Sequence, residues 1–253
     1  MKKALITGAS AGIGLEFAYQ LAQKNYDLIL VSRNQQKLSE IAQEISSKHK
    51  NNNEVLVADL ATKEGIDLVS NKIKTDQDIE FIINNAGLGI NKPFHKATLN
   101  EESDLLNVLV KAPLEITHSA ITSMLNRNKG FIINVGSVAA WTTSGTYSAA
   151  KVWLTSFSES LNTNYQKKGI NICVVAPGFT KTEFHQRANM STESIPKWMW
   201  LSTKIVVKDS IDAVLKGKTI VVPSIRYKLL VTFLKLIPRS FIRKFSDSYQ
   251  SKR

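Results

Sequence analysis

At 253 residues the chain can bury one full α/β core, since a single domain of that class commonly runs to about 200–250 residues. Its only cysteine, Cys173, excludes a disulfide framework and points to a reducing compartment, and no apolar run approaches the roughly 20 residues needed to span a bilayer. The net charge of +12 is lopsided: residues 226–253 hold eight Lys or Arg against Asp247 alone, and the rest of the chain lacks the basic, aromatic-studded pattern of a nucleic-acid-binding body.

In chain order, short apolar runs alternate with stretches of helical period, the mark of a parallel sheet covered by helices. "MKKALI" opens like an export signal, but its apolar stretch stops at Thr7, short of the roughly 7–15 residues such a signal needs, so 3–7 reads as a first strand. "TGASAGIG" follows, and a helix over 13–24. Gly8, Gly12 and Gly14 permit a tight turn, with Thr7, Ser10 and Ile13 beside them, and let the backbone approach a pyrophosphate at the helix N-terminus. By itself such a turn is weak evidence, and its position between strand and helix is what favours a dinucleotide. Strand 27–32 ends on Ser32-Arg33-Asn34, where a dinucleotide site places an acid for the ribose or a base for a 2′-phosphate. No carboxylate stands there, and the planar fork of Arg33 suits a phosphate, so NADP(H) is expected over NAD(H).

Helix 34–48 and strand 54–58 lead to Asp59, and helix 63–75 and strand 79–83 lead to "NNAG", Asn84 to Gly87. Singly these are ordinary turn residues. Their repeated placement after strands makes Asp59, Asn85, Ala86 and Gly87 candidates for the adenine side and floor of one crevice. A helix over 100–126 carries Asn107, strand 130–135 precedes Ser137, a helix over 146–168 carries Tyr147 and Lys151, and strand 170–175 buries Cys173. "APGFTKT", a helix over 208–216 and a strand over 219–222 complete the body. Right-handed crossovers wind this order into a Rossmann-like, doubly wound parallel sheet of about seven strands, with its ligand crevice beyond the strands' carboxyl ends.

Six motifs in this order, "TGASAGIG", "NNAG", Asn107 in "LLNVLV", "NVGS", "YSAAK" and "APGFTKT", resemble the short-chain dehydrogenases/reductases over roughly residues 3–222. The resemblance implies that Tyr147 is the catalytic acid/base, Ser137 binds the substrate oxygen, Lys151 holds the nicotinamide ribose and Asn107 completes a proton-relay water site. It also implies that the Pro177-Gly178 turn and Thr182 close over the nicotinamide. The chemistry asks for the same residue types. Hydride addition to a carbonyl builds charge on oxygen, which needs a donor and a proton near neutral pH. Tyr147 and Lys151, four apart on one helix face, are neighbours, and an ammonium within about 4–6 Å is expected to lower a phenol's pKa by about 1–3 units.

One departure stands out: only "VAAWTTSGT" separates Ser137 from Tyr147, two or three residues shorter than the family usually has. The shorter loop leaves the role of Ser137 less secure, and it makes Trp141 either a lining residue of the cleft or a packed surface tryptophan. Residues 183–206 read as a substrate lid whose Phe184, Met190, Trp198, Met199 and Trp200 either receive an apolar carbonyl or pack the lid down. The four histidines, 49, 95, 118 and 185, have no metal-ligand spacing, so no metal is expected and they read as surface or loop residues.

The tail, 226–253, is expected to be a separate basic amphipathic extension to a catalytic domain over 1–225. Leu230, Phe233, Leu234, Ile237, Phe241 and Phe245 recur at helical spacing, opposite Lys228, Lys235, Arg239 and Arg243, and Pro238 divides the run into two helices. Packing on the body or a second subunit and contact with an anionic membrane both suit that pattern. The expected protein is a cytoplasmic NADPH-dependent carbonyl reductase, dimeric or tetrameric through its long helices, acting on a small carbonyl or alcohol. Its rivals are a nucleotide-binding regulator or scaffold of the same fold with little turnover, and a nucleic-acid binder suggested by the basic charge.

Overall fold

A computed structural model describes residues 2–193 and 195–250, with side chains described to Lys244. The tail charges Asp247, Lys252 and Arg253, the Phe245 side chain, and Ser194 within the expected lid lie outside what is described. Seven parallel strands form one sheet: β1 (Lys3–Thr7), β2 (Asp27–Ser32), β3 (Asn53–Val57), β4 (Ile79–Asn84), β5 (Gly130–Val135), β6 (Ile170–Val175) and β7 (Ile220–Val221), in the order β3-β2-β1-β4-β5-β6-β7. The strand order reverses between β1 and β4, the point at which sheets of this kind place a ligand, beyond the carboxyl ends. The expected α/β class and strand number are what the chain adopts.

Along β1 the side chains alternate between two buried layers. Ala4 and Ile6 join Phe17 and Leu21 of α1 (Gly12–Ala22), Leu38 of α2 (Gln35–His49) and Val206 and Ile211 of α8 (Thr203–Leu215). Leu5 joins Ile66 and Val69 of α3 (Lys63–Thr75) on the other face, with Leu105 of α4 (Leu99–Leu106), Ile116 of α5 (Ala112–Asn126) and Ala150 of α6 (Gly145–Tyr165). The central strands β1, β2, β4, β5 and β6, buried on both sides, are near-continuous apolar runs, while the edge strands β3 and β7 are only partly covered.

Four boundaries differ from expectation. The expected 100–126 helix is broken by a wide π turn at Asn107–Lys111, next to Pro113, which has no N–H to return to the preceding turn. Helix 146–168 ends at Tyr165 and tightens into a 3₁₀ turn over Gln166–Lys168. The helix expected over 208–216 begins at Thr203, so the expected lid loses its last residues to α8; the β-branched run Ile205-Val206-Val207 disguises that first turn. Strand 219–222 contracts to Ile220–Val221 at the sheet edge.

Between Thr182 and α8 the chain holds the one-turn helix α7 (Phe184–Arg187) and a 3₁₀ turn over Lys197–Met199. The tail forms α9 (Ile225–Leu236) and α10 (Arg239–Gln250), divided at Pro238 as its missing N–H requires. The single apolar stripe expected there is instead two: Tyr227 and Val231 are buried against the main core with Leu234 half-buried, while Leu229, Phe233 and Leu236 face solvent on the opposite side of α9. Among the described residues no helix is long and apolar enough to cross a membrane.

Candidate active site

Thr7 ends β1 fully buried, because its hydroxyl organises the crevice floor. Oγ1 donates to the Ile83 carbonyl at 3.2 Å and accepts from the backbone N–H groups of Asn85 (2.9 Å) and Ala86 (3.0 Å). The Asn85 amide returns hydrogen bonds to the carbonyls of Thr7 (2.9 Å) and Gly8 (3.2 Å). The "NNAG" segment thus braces the turn after β1. Gly8 sits at φ +67° and Gly12 at φ +58°, the left-handed region that favours glycine. A Cβ on Gly14 would lie 2.2 Å from the Gly8 carbonyl oxygen, so turn and helix close on each other without room for a side chain. Gly87, by contrast, has ordinary room for one.

The turn suits a pyrophosphate. Ala11 precedes α1 without a side-chain cap, and the first turn of α1 holds no acid, so its N–H groups and positive dipole end are available to an anion. Ser10 is buried beside it, and Ile13 packs on the core. At the end of β2, Arg33 is exposed, with its guanidinium 3.7 Å from the Asp59 carboxylate. Asp59 turns its other oxygen to the Ala61 N–H at 3.0 Å. The two residues expected at the adenine end therefore stand together, and most of the Arg33 fork is open to solvent.

Ser137, Tyr147 and Lys151 also come together. Ser137 caps the short turn Val138–Trp141, its Oγ accepting from the Ala139 N–H at 3.1 Å, and it faces the Tyr147 side chain, whose pKa it pulls down. The shortened loop closes because that turn and the Gly145 start of α6 (φ +67°) double the chain back within ten residues. Tyr147 is pushed up to about 12 by burial, with the Ser137 hydrogen bond pulling the other way. Lys151, one helical turn on, is buried and held down to about 8 by desolvation. Its Nζ donates to the Val135 carbonyl at 2.7 Å and lies 5.6 Å from the centre of the Tyr147 ring. The expected lowering of the phenol by the ammonium is thus absent here, since burial disfavours both charged forms. Asn107 opens the wide turn and gives its amide to the Ala61 carbonyl at 2.8 Å, while its own carbonyl accepts from the Ala112 N–H.

Above Tyr147 lies Phe184, ring centroids 5.9 Å apart. Phe179, Phe184, His185 and Trp200 form a ring cluster in which burial lowers the His185 pKa, so this histidine is half-buried rather than a surface residue. Gly89 faces Phe184 and Ala188, and a cleft of about 270 Å³ runs beside it along Leu88, Ile90 and Arg187. The Pro177 carbonyl accepts from the Val138 N–H at 3.0 Å, and the methyl of Thr182 packs against Gly12. Trp141 packs on the core beneath the Lys235 ammonium.

Two features escape sequence reasoning. Tyr227 of α9 lies under Gly178, where a Cβ would fall 1.9 Å from its ring; its hydroxyl accepts from the Phe179 N–H and donates to the Met199 carbonyl, both at 3.0 Å. No motif surrounds it. A buried chain also runs beneath α6, from the Asn84 amide to Asn134 Oδ1 and from the Asn134 amide to Ser158 Oγ, both at 2.8 Å. Its signal was present: Asn84 and Asn134 are polar residues inside apolar strands, which demand partners.

A family model described as short chain dehydrogenase matches residues 2–193. A very-long-chain 3-oxoacyl-CoA reductase of Phaeosphaeria nodorum is 37% identical over 180 residues, 68% of this chain and 53% of that protein. The human "inactive hydroxysteroid dehydrogenase-like protein 1" is 28% identical over 214 residues, 83% of this chain and 64% of that protein. The chain thus spans about half to two thirds of the length of these relatives. A solved short-chain dehydrogenase from Sphingobium yanoikuyae, in complex with NADPH, superposes with a TM-score of 0.85 at 25% identity, covering 94% of this chain and 96% of that one.

Proposed function

The chain belongs to the short chain dehydrogenase family, and from that premise we propose that it is an NADP(H)-dependent reductase of an apolar ketone or aldehyde. The observation that carries this reading is that Ser137, Tyr147 and buried Lys151 come together in a chain whose glycine turn after β1 leads into an uncapped helix N-terminus. Thr7, Gly8, Ser10, Gly12, Ile13, Gly14, Asn85, Ala86 and Gly87 would hold the dinucleotide, with Asp59 at the adenine and Pro177, Gly178 and Thr182 at the nicotinamide. When bound, the nicotinamide supplies a hydride to the carbonyl carbon.

Tyr147 Oη gives the carbonyl oxygen its proton, and a phenol pushed up to about 12 keeps that proton at neutral pH. Ser137 Oγ polarises the same oxygen. Lys151 holds the ribose and sets the tyrosine's position, and Asn107 supports the path by which the proton is replaced. Phe184 over the Tyr147 ring excludes water and offers an apolar wall, which is why an apolar carbonyl is favoured. The open fork of Arg33 favours a 2′-phosphate. A cytoplasmic homodimer or homotetramer whose tail meets a second subunit or a membrane periphery completes the reading.

A carbonyl panel followed by NADPH absorbance tests it. Turnover in the wild type should fall by about 10³-fold in Tyr147→Phe while NADPH still binds. Arg33→Ala should narrow the preference for NADPH over NADH by about tenfold. Equal use of both cofactors by the wild type would remove the assignment of Arg33, and undiminished turnover in Tyr147→Phe would remove the mechanism. A second reading, a nucleotide-binding regulator with little turnover, is favoured by the relative whose name calls it inactive. It predicts NADPH binding with silence across the panel, although this chain retains both Tyr147 and Lys151.

A further inference from the structure

Helix α9 is apolar on two opposite faces, and among the described residues only one of them is covered. Tyr227 and Val231 are buried against the body, yet Ile225, Leu229, Phe233 and Leu236, spaced to form a single stripe, are 72%, 67%, 58% and 78% exposed. A helix apolar all round is normally a buried one. Phe241 of α10 and Trp198, beside the N-terminus of α9, add exposed aromatic surface. Patches of this kind mark a surface that meets something else.

The surrounding charge says what. Residues 213–246 contain eight Lys or Arg and no Asp or Glu. On α9 the cations stand on the flanks of the stripe: Arg226 lies over the Trp198 ring at 5.9 Å, while Lys235, on the other flank with Lys228, lies over Trp141 at 5.3 Å. A two-fold pairing of copies through this stripe would set the cations of one copy against those of the other, with no acid on α9 between them. An anionic lipid surface takes up both components, acyl chains receiving the stripe and headgroups the cations.

We propose that α9 and α10 dock the protein on an anionic lipid surface, with the Leu229-Phe233 stripe inserted and the basic flanks on the headgroups. Since Arg226 donates to the Trp198 carbonyl and Tyr227 to the Met199 carbonyl, docking brings the 197–199 turn of the expected lid to the lipid. For a carbonyl reductase, a consequence that rests on the function proposed above, an apolar substrate then enters from the bilayer.

The full chain is sedimented with vesicles of phosphatidylcholine alone or mixed with phosphatidylserine. It should pellet with the mixed vesicles, less so as salt rises, and weakly with the neutral ones. Leu229→Glu/Phe233→Glu should cut the bound fraction by about tenfold or more. Both side chains are exposed, so the unfolding midpoint and NADPH fluorescence should not move. Wild type left in the supernatant, a double variant that pellets like wild type, or equal binding to neutral vesicles overturns the proposal. So does a wild-type dimer that this variant turns into monomer without lipid. Reduction of a water-soluble ketone is followed in parallel: turnover without vesicle binding removes the docking alone, and vesicle binding without turnover removes the reductase reading alone.

Discussion

At the proposed cofactor end of the site, Thr7, Gly8, Gly14 and Asn85 hold one another through backbone groups, and each identity is forced by a contact of about 3 Å or less. At the proposed substrate end, Phe184, His185, Trp200 and Tyr227 meet through rings and one hydroxyl, and the helix behind them shows an apolar stripe to solvent. The first region has one arrangement available to it. The second can be repacked by a substrate or a surface without breaking backbone hydrogen bonds, as a specificity region requires.

The largest effect expected from this contrast is at Gly14. A methyl there meets the Gly8 carbonyl at 2.2 Å, which cannot swing aside, so Gly14→Ala should cost about 3 kcal/mol and abolish NADPH binding. Gly178→Ala meets the Tyr227 ring instead and should be partly rescued by Tyr227→Leu. Denaturant unfolding of the three variants measures this, and a Gly14→Ala protein as stable as wild type would erase the distinction between the regions.

Lys151 sits where the two regions join. Burial holds it at about 8, against 10.5 for the ordinary side chain. Above both values the amine is neutral folded or unfolded. As pH falls through that window the unfolded chain binds a proton that the folded chain refuses, so stability drops, and the loss is complete below about 8. Relative to Lys151→Met, the wild type should therefore gain on the order of 2 kcal/mol between pH 8 and 10.5. Cys173, whose thiol burial pushes up to about 12, titrates alike in both proteins and cancels. A flat difference would mean that water reaches the lysine, and that the site's floor is as open as its lid.

The braced turn after β1 was legible in the sequence because its constraints are local: a glycine, an asparagine or a threonine at a strand end has few other reasons to be there. Ser137 and Tyr147 were legible by type, but the path between them was not, since nothing in "VAAWTTSGT" announces a 3₁₀ turn. Spacing in α9 revealed apolar and basic residues, yet a helical period cannot say which face meets the body, and the stripe read as one proved to be two. Tyr227 was invisible, because its partners lie 28 and 48 residues away.

Removing that hydroxyl is the mildest test and the most discriminating. Tyr227→Phe keeps the ring beneath Gly178 but leaves the Phe179 N–H without its acceptor and the Met199 carbonyl without its donor, at a cost of about 1 kcal/mol. That loss should fall on the segments the hydroxyl ties together. Amide exchange across 177–182 and 197–200 should quicken about fivefold while the 7–14 turn, braced by Thr7 and Asn85, exchanges as before. If the glycine turn quickens equally, the two ends open as one cooperative unit, and α9 governs the cofactor site as directly as the lid.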